Sequence, residues 1–302
     1  MKKTARNARI LVCMLSMSLM TGALYHRSGL QAADFLRTLW NTTYGEEKRD
    51  AATALVACAD GGTAVAGYSR SWGDGETDFM VFKLNSNGER VWAHVYGEFD
   101  GVSNAMAYGI AETSDHGLVV VGEKRIYSLL DELNLTSSYR YNIWVLKLDA
   151  LGNELWSKTL GGADYDRANA VIASSDGGIV IAGHTQSYYA DGSTPPAHAK
   201  KDLWLIKLDK DGNVKWEKLY GAKSGSDGAN SIVQCQGGYV LCGFTASYGA
   251  GGVGDYDAWT MKLDADGNPL WSRTAGGNKF DQANCVIEAA SGAILVAGET
   301  TT

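Results

Sequence analysis

Proline is nearly missing from these 302 residues, at three, and there are only five cysteines against 37 glycines. So little proline excludes collagen-like and proline-rich designs. Cysteine is too sparse for a small disulfide scaffold. Cys13 lies in an N-terminal apolar run, and Cys58, Cys235, Cys242 and Cys285 occupy unlike positions without metal-ligand spacing, so they are expected as small buried residues. Positive charge is also short: 27 Lys and Arg oppose 34 Asp and Glu, for a net charge of −7. Such a surface repels a phosphate backbone, and no nucleic-acid partner is expected. No nucleophile, general base or phosphate-binding loop recurs, and His94, His116, His184 and His198 are scattered.

At its start the chain carries Lys2, Lys3, Arg6 and Arg9 ahead of the apolar run Ile10 to Leu24, then small residues. The run is short for a bilayer span, and the order is that of a secretory signal. Residues 1–33 are therefore read as a signal peptide or, uncleaved, as an N-terminal membrane anchor. Either way the expected location is secreted, periplasmic or cell surface, with a membrane met only through that segment. Its removal takes five basic residues and no acidic ones, leaving 22 against 34.

Residues 34–302 repeat themselves. The stretch Lys262-Leu263-Asp264-Ala265-Asp266-Gly267-Asn268-Pro269-Leu270-Trp271 has counterparts of equal length at Lys207 to Trp216, Lys147 to Trp156 and Lys83 to Trp92. From Trp40, Trp156, Trp216 and Trp271 it is 20 residues to Asp60, Asp176, Gln236 and Ser291, and from Trp92 it is 23 to Asp115. Seven residues beyond each of those five stand Gly67, Gly183, Gly243, Gly298 and Gly122. Each unit holds four short apolar runs between turn signals, clearest in the third copy. Four antiparallel strands every 52 to 64 residues define the blade of a β-propeller, so the fold is expected to be all-β. The blades fall at about 50–97, 103–161, 166–221 and 227–276, with a partial fifth at 281–298. The orphan stretch 36–44, with Trp40 and Tyr44, is placed to close the ring. Ala52, Ala107, Ala168, Ala229 and Ala283 suit inner strands that converge on the axis. Trp92, Trp156, Trp216 and Trp271 suit the wide gaps between blades, each worth at most about 4–6 kcal/mol. Lys83, Lys147, Lys207 and Lys262 recur too regularly for one active site and are read as structural pairing residues.

The third unit, Trp156-x-x-x-Leu160-Gly161-Gly162, Asp166-x-Ala168, Asp176-Gly177-Gly178, Ala182-Gly183-x-Thr185-x-Ser187 and Asp202-x-Trp204-x-x-Lys207-Leu208-Asp209-x-x-Gly212-Asn213, resembles a β-propeller repeat of bacterial and archaeal secreted or cell-surface proteins. The resemblance covers about Leu36 to Thr302. It implies export and no particular activity. The second copy departs most, with Ala105 and Asn142 for Asp and His116 in the Asp-Gly-Gly turn. The turn and its Trp are also similar to the tryptophan-docking repeat of quinoprotein propellers, but the adjacent cysteines that hold a quinone in several of those enzymes are absent, so no cofactor is expected.

Propellers carry function on loops at one face or in the channel. Here the loop between second and third strands varies: Gly-to-Lys distances are 16, 25, 24 and 19 residues in the four copies. These loops hold the candidate ligand-binding residues Trp72, Tyr127, Tyr139, Tyr188, Tyr189, Tyr248 and Tyr256, aromatic platforms suited to sugar rings, although the copies are not read as placing them equivalently. Asp50, Asp166, Asp227 and Asp281 are expected to bond backbone amides at strand starts, and no metal site is assigned. The expected function is non-catalytic binding of an extracellular glycan or protein. The alternatives are a polysaccharide-acting hydrolase or lyase, with no carboxylate pair to name, and a structural surface protein.

Overall fold

In the computed structural model the second and third strands of the first and third repeats are buried along their whole length, because each lies mid-sheet with a neighbouring sheet on either face. That is why these runs read as continuously apolar. The structure describes residues 10–17, 36–73, 76–97, 104–126, 140–188, 200–222, 225–249 and 255–301, with backbone alone for 10–17 and 36–42.

β1 (Ile10–Met17) and β2 (Leu36–Tyr44) form a two-stranded sheet. Blade one follows as β3 (Asp50–Ala57), β4 (Thr63–Ser69), β5 (Asp78–Leu84) and β6 (Arg90–Tyr96); blade two is β7 (Ala105–Glu112), β8 (Leu118–Ile126), β9 (Arg140–Leu148) and β10 (Glu154–Leu160). Blade three is β11 (Asp166–Ala173), β12 (Ile179–Thr185), β13 (Asp202–Leu208) and β14 (Val214–Tyr220); blade four is β15 (Asp227–Cys235), β16 (Gly238–Thr245), β17 (Asp257–Asp264) and β18 (Pro269–Ala275). β19 (Asp281–Glu288) and β20 (Ile294–Thr300) pair as an incomplete fifth blade. Within each blade the strands pair antiparallel in chain order, the arrangement of a β-propeller.

The core lies between blades. Phe79 and Val81 of blade one meet Ala107, Leu118 and Trp144 of blade two, and equivalent layers join blades two to three and three to four. Trp144, Trp204 and Trp259 on the third strands are buried in these layers, and Met80, in the equivalent place, is buried with Val65, Phe82 and Leu84 of its own blade. The outer-strand Trp has a different role. A side chain at Gly152, in the turn before β10, would press on the Trp92 ring 3.1 Å away, and Gly212 and Gly267 stand in the same relation to Trp156 and Trp216. The following Tyr completes a clasp on the next blade: Tyr96 donates to the Gly152 carbonyl at 2.6 Å, and Tyr220 donates to that of Gly267. Tyr44 donates to the Gly88 carbonyl at 2.7 Å, so the end of β2 grips blade one as an outer strand grips the blade after it. Trp271 is partly exposed, because the fifth blade has no such turn among the described residues.

Cys58, Cys235, Cys242 and Cys285 are all free thiols, and Cys285 departs from expectation in being exposed, on the thinly covered fifth blade. Burial pushes the Cys242 thiol up to about 12, so it is unreactive at neutral pH.

The recurring lysines tie each third strand to its own Asp-Gly-Gly turn. Lys83 meets Asp60 at 2.7 Å, Lys147 meets Asp115 at 2.9 Å and Lys207 meets Asp176 at 2.6 Å. Where Gln236 replaces the Asp, Lys262 contacts Cys235 Sγ at 3.0 Å and the Gln236 carbonyl instead. The Lys83 hydrogen bond holds the Asp60 carboxyl low. At Asp115, burial acts upward but is outweighed by the hydrogen bonds from Thr113, Lys147 and Gly117, which bring it to about 2; Asp176 is lowered by a similar balance. A carboxylate depressed in the folded state contributes stability that is present above its unfolded value near 4 and lost as pH falls through its folded value. Urea titrations between pH 5 and pH 2 are therefore expected to show stability falling below about pH 4. A variant combining Lys83→Met, Lys147→Met and Lys207→Met should flatten that acid limb. An unchanged limb would show that these pairs do not set it.

Candidate functional site

Every inner strand begins, and every second strand ends, at the face from which the second-to-third-strand loops leave. The first inner-strand residue pairs with the last of the second strand: Asp50 with Ser69, Asp166 with Thr185, Asp227 with Thr245 and Asp281 with Thr300. These carboxylates are buried and hydrogen-bonded. Asp50 accepts from Ser69 at 2.5 Å, Ser71 at 2.7 Å and the Glu46 amide at 3.0 Å. Asp166 accepts from Thr185, from Ser187 at 2.7 Å and from the Gly162 amide at 2.9 Å. Asp227 repeats the pattern with Thr245 and Ser247. Their oxygens hold the loop root in place. Among the described residues no three His, Cys, Asp or Glu side chains are grouped to hold a metal.

The residue after the second hydroxyl is Trp72, Tyr188 or Tyr248, each five residues beyond its second-strand Gly, and Tyr127 has that spacing in blade two. Trp72, Tyr188 and Tyr248 are thus placed equivalently, contrary to the reading from the sequence. Tyr188 donates to the Gly161 carbonyl at 3.1 Å and lies edge-on to Trp204 at 5.6 Å. Tyr248 donates to that of Gly221 at 2.8 Å, lies 5.4 Å from Trp259 and lines an open groove of about 600 Å³ with Tyr220 and Met261. Trp72 packs against Met80 and Phe82 of its own blade. Tyr256 sits nearer the axis, between Phe244 at 5.1 Å and Phe280 at 5.6 Å. These four are distributed over blades one, three and four and do not converge. Tyr127, Tyr139 and Tyr189 lie outside the described residues.

A denser constellation occupies the junction of blades two and three, where side chains break the repeat. The fourth inner-strand residue normally stitches one blade to the next: Thr53 donates to the Ala107 carbonyl at 2.6 Å, Asn169 to that of Ala229 at 2.7 Å and Asn230 to that of Ala283 at 3.0 Å. Blade two has Tyr108 there. Its hydroxyl turns to Glu123 at 3.0 Å, and Tyr165 donates to the other Glu123 oxygen. Arg167, next to Asp166, lays its guanidinium carbon 3.6 Å from the Tyr108 ring centroid. His184, opposite Arg167 in the ladder, stacks on Tyr165 at 5.7 Å; Tyr141 meets Tyr165 edge-on at 5.8 Å, and Lys201 Nζ lies 5.2 Å from its centroid.

Burial, followed by the Glu123 charge, pushes the Tyr108 and Tyr165 hydroxyls well above the usual range, so both remain neutral donors. Burial, with Arg167 beside it, lowers the Lys201 amine. His184 falls well below the usual histidine range through burial and then the charges of Lys201 and Arg167, so it is a neutral imidazole. Among the described residues neither His184 nitrogen has a hydrogen-bond partner, nor does Arg167 Nε. Glu123 has both oxygens engaged by tyrosines, so its carboxylate is not poised as a free base.

Sequence reasoning passed over this cluster because it weighed features that recur. The signal was the reverse: residues facing the second inner-strand position read Tyr68, Glu123, His184, Phe244 and Glu299, and this row has no common type. The 25- and 24-residue Gly-to-Lys spacings, the two longest, also belong to blades two and three.

No protein-family model matches the chain. Regulatory protein FlaEY of Caulobacter vibrioides is 28% identical over 199 residues, which are 63% of this chain and 20% of that protein. An uncharacterized WD repeat-containing protein of Acanthamoeba polyphaga mimivirus is 25% identical over 115 residues, 35% of this chain and 8% of that protein. The chain thus spans a fifth or less of these curated relatives. A solved structure of unknown function from Dyadobacter fermentans matches with a TM-score of 0.54 at 14% identity, covering 84% of this chain and 76% of that one, a likeness of fold.

Proposed function

We propose that the protein is an exported β-propeller that binds an extracellular glycan or protein at its loop face, without catalysing a reaction on it. The observation that carries this reading is the cluster around Tyr165, where the repeat is broken by polar and cationic side chains at the roots of the two longest loops. Propeller ends serve binding well because fixed blades position variable loops. The engaged oxygens of Glu123 argue against that carboxylate as a general base. Export is inferred from the basic residues and apolar run at the N-terminus, and the secreted repeat family from the third unit's motifs. Glycan-array and pull-down screens with the whole protein should yield a ligand whose binding is abolished when residues 127–139 and 189–199 are both replaced by short Gly-Ser loops. Binding that survives both replacements would place the ligand elsewhere and refute the reading.

A further inference from the structure

We infer that the cluster at the junction of blades two and three is a subsite for the carboxylate of an acidic sugar, so that the ligand is a uronic-acid-bearing glycan. This deepens the binding reading above and rests on it. The first support is charge. In a chain of net charge −7, the residues Lys124, Arg125, Arg140, Arg167, Lys200 and Lys201 gather at one end of blades two and three. Within the cluster Arg167 and Lys201 face one carboxylate, Glu123, whose oxygens are occupied by Tyr108 and Tyr165. Neither Arg167 nor Lys201 makes an ion pair among the described residues. Two partly buried cations that share one carboxylate are costly, and an arriving anion lowers that cost.

The second support is geometry. The Arg167 guanidinium carbon lies 3.6 Å from the Tyr108 ring centroid and one of its donors bonds the Tyr165 hydroxyl; a guanidinium so anchored can present its remaining N–H groups in pairs, which match a planar carboxylate. The third support is a set of unsatisfied polar atoms and aromatic faces beside the cations. His184 is almost fully buried and neutral, with one donor and one acceptor nitrogen both lacking partners among the described residues, as Arg167 Nε does. Buried polar groups in this state call for a ligand that both donates and accepts, as hydroxyls do and carboxylates alone do not. Tyr108, Tyr141 and Tyr165 provide aromatic faces in the same place, suited to the C–H face of a pyranose ring.

The test is calorimetric titration of the whole protein with trigalacturonic acid, its fully methyl-esterified form and hexaglutamate. The acid should bind, and the ester should bind at least about 10-fold more weakly. Arg167→Met should weaken the acid by about 10- to 100-fold, Arg167→Lys by less, and Arg273→Met, a charge lost from the exposed β18, by less than about 2-fold. A matching melting temperature for Arg167→Met and the parent separates lost contact from lost fold, and Lys201→Gln serves if Arg167→Met does not fold. Equal binding of acid and ester, or hexaglutamate binding tighter than trigalacturonate, overturns the carboxylate-sugar assignment while leaving a binding protein. If none of the three probes binds but the array yields a neutral glycan or a protein, this inference fails and the broader reading stands.

Discussion

Replacing Gly183 with alanine is expected to lower the free energy of unfolding by about 3–5 kcal/mol. Gly183 pairs with Ala168 just where β11 bulges between Ala168 and Ala170. A Cβ there would fall far inside contact distance of the Arg167 carbonyl oxygen and 2.9 Å from Ala168 Cα. Both are backbone atoms of the inner strand, with no flexible side chain to yield, so the strand itself must shift. Gly67, Gly122, Gly243 and Gly298 meet inner-strand carbonyls in the same way, which accounts for the invariant spacing of this glycine across five copies. Gly177→Ala is the control. It has φ of 82° and no atom within 4 Å of a built Cβ, so it carries only left-handed strain, about 1–2 kcal/mol. Guanidinium unfolding followed by tryptophan fluorescence compares the two; equal losses would mean that the close strand approach does not govern stability. Because Gly183 presses on the residue that carries the Arg167 side chain, the same substitution should also weaken ligand binding.

That glycine shows why the architecture was legible in the sequence. Each blade solves the same steric problem with the same residue, so the solution repeats, and the repeat fixes strand order, the Asp-x-x-Gly hairpins and the blade boundaries. Asp209 accepts from the Asp211 and Asn213 amides, and Gly212 is left-handed at φ of 79°, as its turn requires. His116 holds the left-handed position that Gly61 and Gly177 occupy elsewhere, at φ of 60°, a strained place for a side chain. The recognition chemistry follows the opposite logic. Tyr108, Glu123, Arg167 and His184 differ from their counterparts because one junction has acquired a feature that the others lack. A search for recurring residues discards them, and their proximity depends on packing between blades that no single repeat displays. The loop aromatics stand out for lying in the loops of variable length, yet Tyr188 and Tyr248 each spend their hydroxyl on a backbone carbonyl of the preceding blade's edge.

Asp227→Ala is expected to cost about 3–5 kcal/mol, since it empties a buried position and strands the hydroxyls of Thr245 and Ser247. Asp227→Asn, which retains an acceptor, should cost far less. The two carboxylate classes respond to pH in opposite senses. Burial raises Asp227 above its usual range despite those hydroxyls, and Asp166 is raised for the same reason. A carboxyl raised in the folded state binds its proton more tightly there than in the unfolded chain, so its contribution is full below the unfolded value near 4 and declines as pH rises through the folded one. Mild acid should therefore stabilise the wild type, until the lysine-bound carboxylates protonate at lower pH. Asp227→Asn has no proton to gain, so relative to wild type it should fare best at pH 7 and progressively worse toward pH 4.5. A pH-independent difference between the two would contradict a raised Asp227. The functional consequence is local: Thr245 Oγ1, held by Asp227, accepts the Ser247 and Tyr248 amides at 3.1 Å each. Removing the carboxylate should release Tyr248 from Gly221 and Trp259 and enlarge the groove that it lines, a change readable as faster hydrogen exchange at residues 245–248 with no change at the junction of blades two and three.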